Sequence, residues 1–181
     1  MLAAKVQIDF AGLTYYPTSP TKPTERSLDF FNKQIEQIHA AIDRPVIICE
    51  FGYPAAAKFP GQFADWNNPI DGYSLDEAGQ TKWLADFLAT ARSNPNLAGA
   101  YYWSPEWYDS SMWSAFSLFD AKGSARPAVQ ALKAKAQAAP PSTTPSTRSS
   151  TGDIHVYFGN LHSHTSYSDG KGTPEQAFAM A

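Results

Sequence analysis

Short apolar runs alternate along this chain with longer stretches in which apolar residues recur every three or four positions. Val6, Ile8 and Phe10 alternate with polar residues and lead into Ala11-Gly12-Leu13-Thr14-Tyr15-Tyr16-Pro17, a pattern that predicts a strand stopped by proline. A loop rich in Pro, Thr and Ser follows. From Ser27, an N-cap residue type, Leu28, Phe31, Ile35, Ile38 and Ile42 form the stripe of an amphipathic helix. Pro45-Val46-Ile47-Ile48-Cys49 is an unbroken apolar run bounded by Arg44-Pro45 and Gly52, as expected of a parallel strand covered on both faces. After a long loop, Ser74-Leu75-Asp76-Glu77 reads as a capping box, and Trp83, Leu84, Phe87, Leu88 and Ala91 line one face of a second helix that should stop near Asn94-Pro95. A third strand is predicted from about Leu97 to Trp103. Pro127 suits the first turn of a third helix carrying Val129 and Leu132.

Three strand–helix units in this order imply an α/β fold with a parallel sheet, either open and doubly wound or closed as a barrel; periodicity leaves both open. At Ala139 the composition changes to Ala-Pro-Pro-Ser-Thr-Thr-Pro-Ser-Thr-Arg-Ser-Ser-Thr-Gly, which lacks any large apolar residue and reads as a linker. Ile154-His155-Val156-Tyr157-Phe158 then resembles a new strand. The expected organisation is a first module over 1–138, a linker over 139–152 and a second module over 153–181.

With 43% hydrophobic residues the chain can bury a sizeable core. Net charge is -3 and the cations are scattered, which argues against a nucleic-acid partner and against a polybasic membrane patch. Cys49 is the single cysteine, so no intrachain disulfide can form, and it reads as a small buried apolar residue. No stretch has the length of a membrane span. Met1-Leu2-Ala3-Ala4-Lys5 lacks the cationic-then-apolar order of a signal peptide, so the start reads as internal to a longer protein.

Glu50 follows the second strand directly. Active groups of parallel α/β folds gather at the C-terminal ends of strands, and a carboxylate after an apolar run is costly unless it is paired or functional. An ion-paired or capping role is the competing reading. Tyr15-Tyr16, Tyr53, Trp103 and Trp107 fall at the same level. Their flat faces suit the C–H faces of sugar rings, and the alternative for each is core packing.

Three of these segments resemble glycoside hydrolase family 53, the endo-β-1,4-galactanases. Ile8 to Pro17 is similar to that family's sixth barrel strand, and Arg44-Pro45-Val46-Ile47-Ile48-Cys49-Glu50-Phe51-Gly52-Tyr53-Pro54 to its seventh. Gly99-Ala100-Tyr101-Tyr102-Trp103-Ser104-Pro105-Glu106-Trp107 is similar to its eighth. Leu118-Phe119-Asp120 with Arg126-Pro127-Ala128 resembles the approach to the last helix. The resemblance implies the last three βα units of a (β/α)8 TIM barrel and double displacement on β-1,4-galactan or a related β-glycan, with no cofactor. Glu50 would be the nucleophile, and Tyr16, Tyr53, Trp103 and Trp107 would bind substrate; the partner acid would lie on a fourth strand preceding Met1. Two departures stand out. Ser104 occupies the place of the glutamate in the family's Trp-Glu-Pro, and Phe51-Gly52 replaces the more usual Thr-Ala or Thr-Gly. A chain with three of eight units is expected to be poorly soluble and inactive by itself.

In the second module, Tyr157-Phe158-Gly159-Asn160-Leu161-His162-Ser163-His164-Thr165-Ser166-Tyr167-Ser168-Asp169-Gly170 places two histidines on one face of a strand end, with an aspartate five residues on. With its flanks the segment resembles the opening of the PHP (polymerase and histidinol phosphatase) family, and Gly172-Thr173-Pro174-Glu175-Gln176-Ala177 resembles the helix start that follows. The resemblance implies His162, His164 and Asp169 as ligands of divalent ions of the Zn or Mn type in a complete phosphoesterase domain. Phosphoester hydrolysis as the parent protein's main activity, or a non-catalytic carbohydrate-binding barrel, are the alternative functional readings. The Ser/Thr/Pro-rich linker and a polysaccharide substrate suit an extracellular or periplasmic protein.

Overall fold

The computed structural model describes residues 9–133 and the strand at 156–158. Four parallel strands, β1 (Ala11–Tyr15), β2 (Val46–Phe51), β3 (Leu97–Tyr102) and β4 (Val156–Phe158), form one sheet in that order. Helices α1 (Leu28–Ile42), α2 (Glu77–Ser93) and α3 (Val129–Lys133) connect or follow the first three strands, so the described residues are a partial βα-barrel-like layer. The strand expected at 154–158 is present at its C-terminal end and is paired with β3, Tyr101 opposite Tyr157.

Helix α1 starts where its cap dictates. Ser27 takes the N–H of Phe30 on its hydroxyl at 3.1 Å, and Asp43, in the left-handed region with φ 49°, closes the last turn by donating its N–H to His39. Phe31 and Ile35 from its stripe are buried.

Helix α2 is capped differently from the expected box. Asp76, not Ser74, is the N-cap: its carboxylate accepts the N–H of Gly79 at 2.8 Å and the hydroxyl of Ser74 at 2.7 Å. The turn brings the backbone close at Gly79, where a Cβ would lie 1.7 Å from the Ser74 carbonyl oxygen. The helix ends at Ser93 with Asn94 as its cap, as the Asn94-Pro95 signal predicts.

Trp83, Leu84, Phe87, Leu88 and Ala91 of α2 pack with Phe31 and Ile35 against Val46, Ile48, Phe51, Leu97, Ala100 and Tyr102 of the sheet. Tyr53, Trp83 and Phe87 stack in sequence at 5.2 Å and 5.0 Å between ring centroids. Full burial of each large apolar side chain contributes about 1.5–3 kcal/mol, so this face holds the described residues together. Among the described residues, helices cover one face of the sheet. On the other, Ile47 and Cys49 are half-exposed, which corrects both the expected two-sided cover of β2 and the buried reading of Cys49.

Candidate active site

The aim of Glu50 is set by an irregularity in β2. Leu13 pairs with Ile48, but the next β1 residue, Thr14, pairs with Glu50, leaving Cys49 as an extra residue in the strand. Side chains alternate along a strand, so without this bulge Glu50 would share the helix-facing side with Val46 and Ile48. A carboxylate would then enter the apolar core at a cost of several kcal/mol. The bulge instead gives the core position to Phe51, fully buried, and turns Glu50 to the open face, where it is half-exposed. Gly12 on β1 makes room for the displaced cysteine, because a Cβ there would lie 2.6 Å from its Sγ. Burial, and after it the Glu50 charge, raises the thiol pKa and keeps Cys49 a thiol.

Tyr16, the residue after β1, donates its hydroxyl to Glu50 Oε2 at 3.1 Å. Burial, followed by the neighbouring carboxylate, pushes the phenol pKa far up, so it stays a protonated donor. Aromatic rings surround this pair. Trp66 lies 4.9 Å from the Tyr16 ring, Trp113 5.8 Å and Trp103 6.3 Å, and Trp107 is 5.6 Å from Trp103. Trp113 and Phe116 are completely buried beneath this layer, whereas Trp66, Trp103 and Trp107 keep part of their surface exposed.

Of the residues expected to bind substrate, Tyr16, Trp103 and Trp107 therefore lie in one cluster with Glu50, Tyr16 through its hydrogen bond. Tyr53 does not. It is fully buried, stacks on Trp83 and directs its hydroxyl at the carbonyls of Tyr73 and Ser74, so it presents no face to a ligand. Tyr102 is likewise in the core, as one member of the alternating Tyr101–Tyr102 pair must be. Trp66, Phe63, Trp113 and Phe116 were not legible as cluster members. They sit in loops without periodicity, and the one available signal was their place after β2 and β3.

Two polar features hold these loops. Gln80 of α2, fully buried, donates to the carbonyl of Tyr53 at 2.9 Å and lies 3.3 Å from that of Ser117, while Tyr102 donates to the carbonyl of Phe116 at 2.7 Å. Ser104 is buried and left-handed, with φ 44°. Its neighbour Glu106 is exposed.

Two clefts of about 420 and 370 Å³ occur on the described surface, and Glu50 lines neither; the second is lined by Tyr16 and Trp66 together with Leu13, Phe30 and Gln34. The candidate site is the cluster around the Glu50 carboxylate, which Tyr16 joins through its hydrogen bond. No group of three or more His, Cys, Asp or Glu side chains that could hold a metal occurs among the described residues. His162, His164 and Asp169 lie outside them. No helix among the described residues is long and apolar enough to cross a membrane.

The described residues form part of a parallel βα barrel in which Glu50 lies on the open face beside Tyr16 and a cluster of aromatic rings. Residues 1–132 match the model of glycosyl hydrolase family 53, and the chain belongs to that family. A Niallia circulans protein described as an uncharacterized protein in the bgaB 5′ region is 30% identical over 73% of this chain and 39% of its own length. The Ignisphaera aggregans GH53 catalytic domain superposes with a TM-score of 0.57 at 19% identity, covering 72% of this chain and 39% of that one. A fungal β-1,4-galactanase gives 0.53 at 18% identity, with 68% and 37% covered. These likenesses establish the fold, and the chain spans well under half the length of each relative.

Proposed function

We propose that this chain supplies the nucleophile half of a retaining glycosidase acting on β-1,4-galactan, with Glu50 as the attacking carboxylate. The observation that carries the reading is the bulge at Cys49, which turns Glu50 out of the core and into hydrogen-bond contact with the Tyr16 hydroxyl, whose ring adjoins the half-buried indoles of Trp66 and Trp103. A β-1,4-galactanase among the fold relatives supports the choice of substrate.

In the first displacement a Glu50 oxygen bonds to the anomeric carbon and the glycosidic C–O bond breaks. The leaving oxygen takes a proton from a second carboxylic acid, which the family resemblance assigns to a strand before β1. In the second displacement that carboxylate removes a proton from water, whose oxygen replaces Glu50 at the anomeric carbon. Tyr16 holds the carboxylate orientation through its hydroxyl, and the indoles hold the sugar faces. The test is trapping. A 2-deoxy-2-fluoro-β-galactoside with a good leaving group, incubated with the full-length protein, should leave a glycosyl adduct on the peptide containing Glu50. An adduct on another carboxylate defeats the assignment.

For the segment from 153 we propose, from its sequence motif alone, a PHP-type phosphoesterase using His162, His164 and Asp169 as metal ligands. Phosphatase activity of the full-length protein unaffected by His162→Ala would refute it.

A further inference from the structure

The sequence pattern gives Trp66 no role, yet its loop is tied to the loop after β1 by hydrogen bonds of Asn68 and Arg26. Asn68, two residues on, accepts from Arg26 Nη2 at 3.3 Å and donates through its own amide to the carbonyl of Thr18 at 3.0 Å, and its backbone N–H reaches the same carbonyl at 3.1 Å. Arg26 is buried and adds hydrogen bonds to the carbonyls of Pro20, Pro69 and Thr21. A guanidinium satisfied in this way cross-links the loop after β1 to the loop after β2, the two segments that bear Tyr16 and Trp66.

The outcome of the tie is a fixed indole. Trp66 lies 4.9 Å from Tyr16 and 4.6 Å from Phe63 and remains half-exposed. Trp103 lies 6.3 Å from the same Tyr16 ring. Trp66 and Trp103 come from different loops and both adjoin the tyrosine that holds Glu50. An exposed aromatic face held rigid before binding loses little conformational entropy when a ring docks on it.

We propose that Trp66 is a sugar-stacking platform, taking the C–H face of a β-linked hexopyranosyl unit next to the one attacked by Glu50, and that Arg26 and Asn68 are the residues that position it. The proposal rests on the reading of Glu50 as the nucleophile, and its test is a binding measurement that needs no turnover.

Titration calorimetry on the full-length Glu50→Gln protein with β-1,4-linked galacto-, gluco- and mannotetraose should identify at least one ligand. Adding Trp66→Ala should weaken that ligand about tenfold or more, and Trp66→Phe about threefold. Arg26→Lys should give a loss between these two, because the platform is loosened rather than removed. Since Trp66 also packs on Tyr16, a readout without substitution accompanies these. Bound tetraose should protect Trp66 from oxidation by N-bromosuccinimide, as mapped by peptide mass spectrometry. Unchanged affinity in Trp66→Ala, oxidation of Trp66 at the same rate with ligand bound, or failure of all three tetraoses to bind would overturn the proposal. The Glu50 assignment stands or falls separately, on the trapping experiment.

Discussion

On the helix side of the sheet Phe31, Phe51, Trp83 and Phe87 are closed off from water, whereas at the strand ends Trp66, Trp103 and Trp107 keep part of their rings exposed. Tyr15 and Tyr16 make the contrast within two residues. Tyr15 turns inward, 4.5 Å from Phe31, and Tyr16 turns to the cluster around Glu50. Strand alternation separates them, so neighbouring residues of one type enter different environments. The inner rings stabilise the fold through buried area. The outer ones share a surface with a carboxylate, and their exposed faces are available to a ligand. Residue type therefore says little about role here; address in the fold says most.

That division can be broken by substitution. Trp83→Ala should have the largest effect, a loss of about 3–5 kcal/mol in urea unfolding, because it empties the centre of the stacked core. Trp103→Ala should cost about 1–2 kcal/mol and mainly weaken binding of the tetraose. Equal stability losses, or glycan affinity that falls only with Trp83, would erase the distinction between the two clusters.

A smaller effect concerns the cap of α2, which belongs to the inner cluster. The Ser74 hydroxyl, and then the N–H of Gly79, hold the Asp76 carboxyl below the usual carboxylate range. A group with a depressed folded pKa stabilises fully above its unfolded pKa of about 3.9, and that contribution disappears as pH falls through the lower folded value. Asp76→Ala should accordingly lower Tm near neutral pH, and the gap from the parent should narrow on acidification below about pH 4. A gap that widened in acid would show the sign to be wrong. The outer cluster takes no part in this cap and should keep its glycan affinity in the same variant near neutral pH.

Elements were legible in the sequence where burial imposes a period. The stripes of α1 and α2 and the short apolar runs gave three strand–helix units close to their observed bounds, and the resemblance of the Glu50 segment identified the family that the chain matches. Three features were hidden for physical reasons. The Cys49 bulge lies in a run with no polar alternation, so nothing marked the extra residue, although it decides where Glu50 points. The α2 cap is Asp76 rather than Ser74, and both residue types suit a cap, so the sequence alone does not choose between them. Tyr53 follows a strand closely, which on sequence grounds puts it with the outer rings, yet its ring folds back onto Trp83. Loop-borne Trp66 and Trp113 carry no period at all.

The central claim is that the bulge aims Glu50 into a glycan site as the reacting carboxylate. Its most direct measurement compares the full-length protein with Glu50→Gln for turnover of β-1,4-galactan and for affinity towards the same polymer. The account predicts a fall in kcat of at least about a thousandfold with affinity nearly unchanged. Retained turnover, with affinity lost instead, would contradict it.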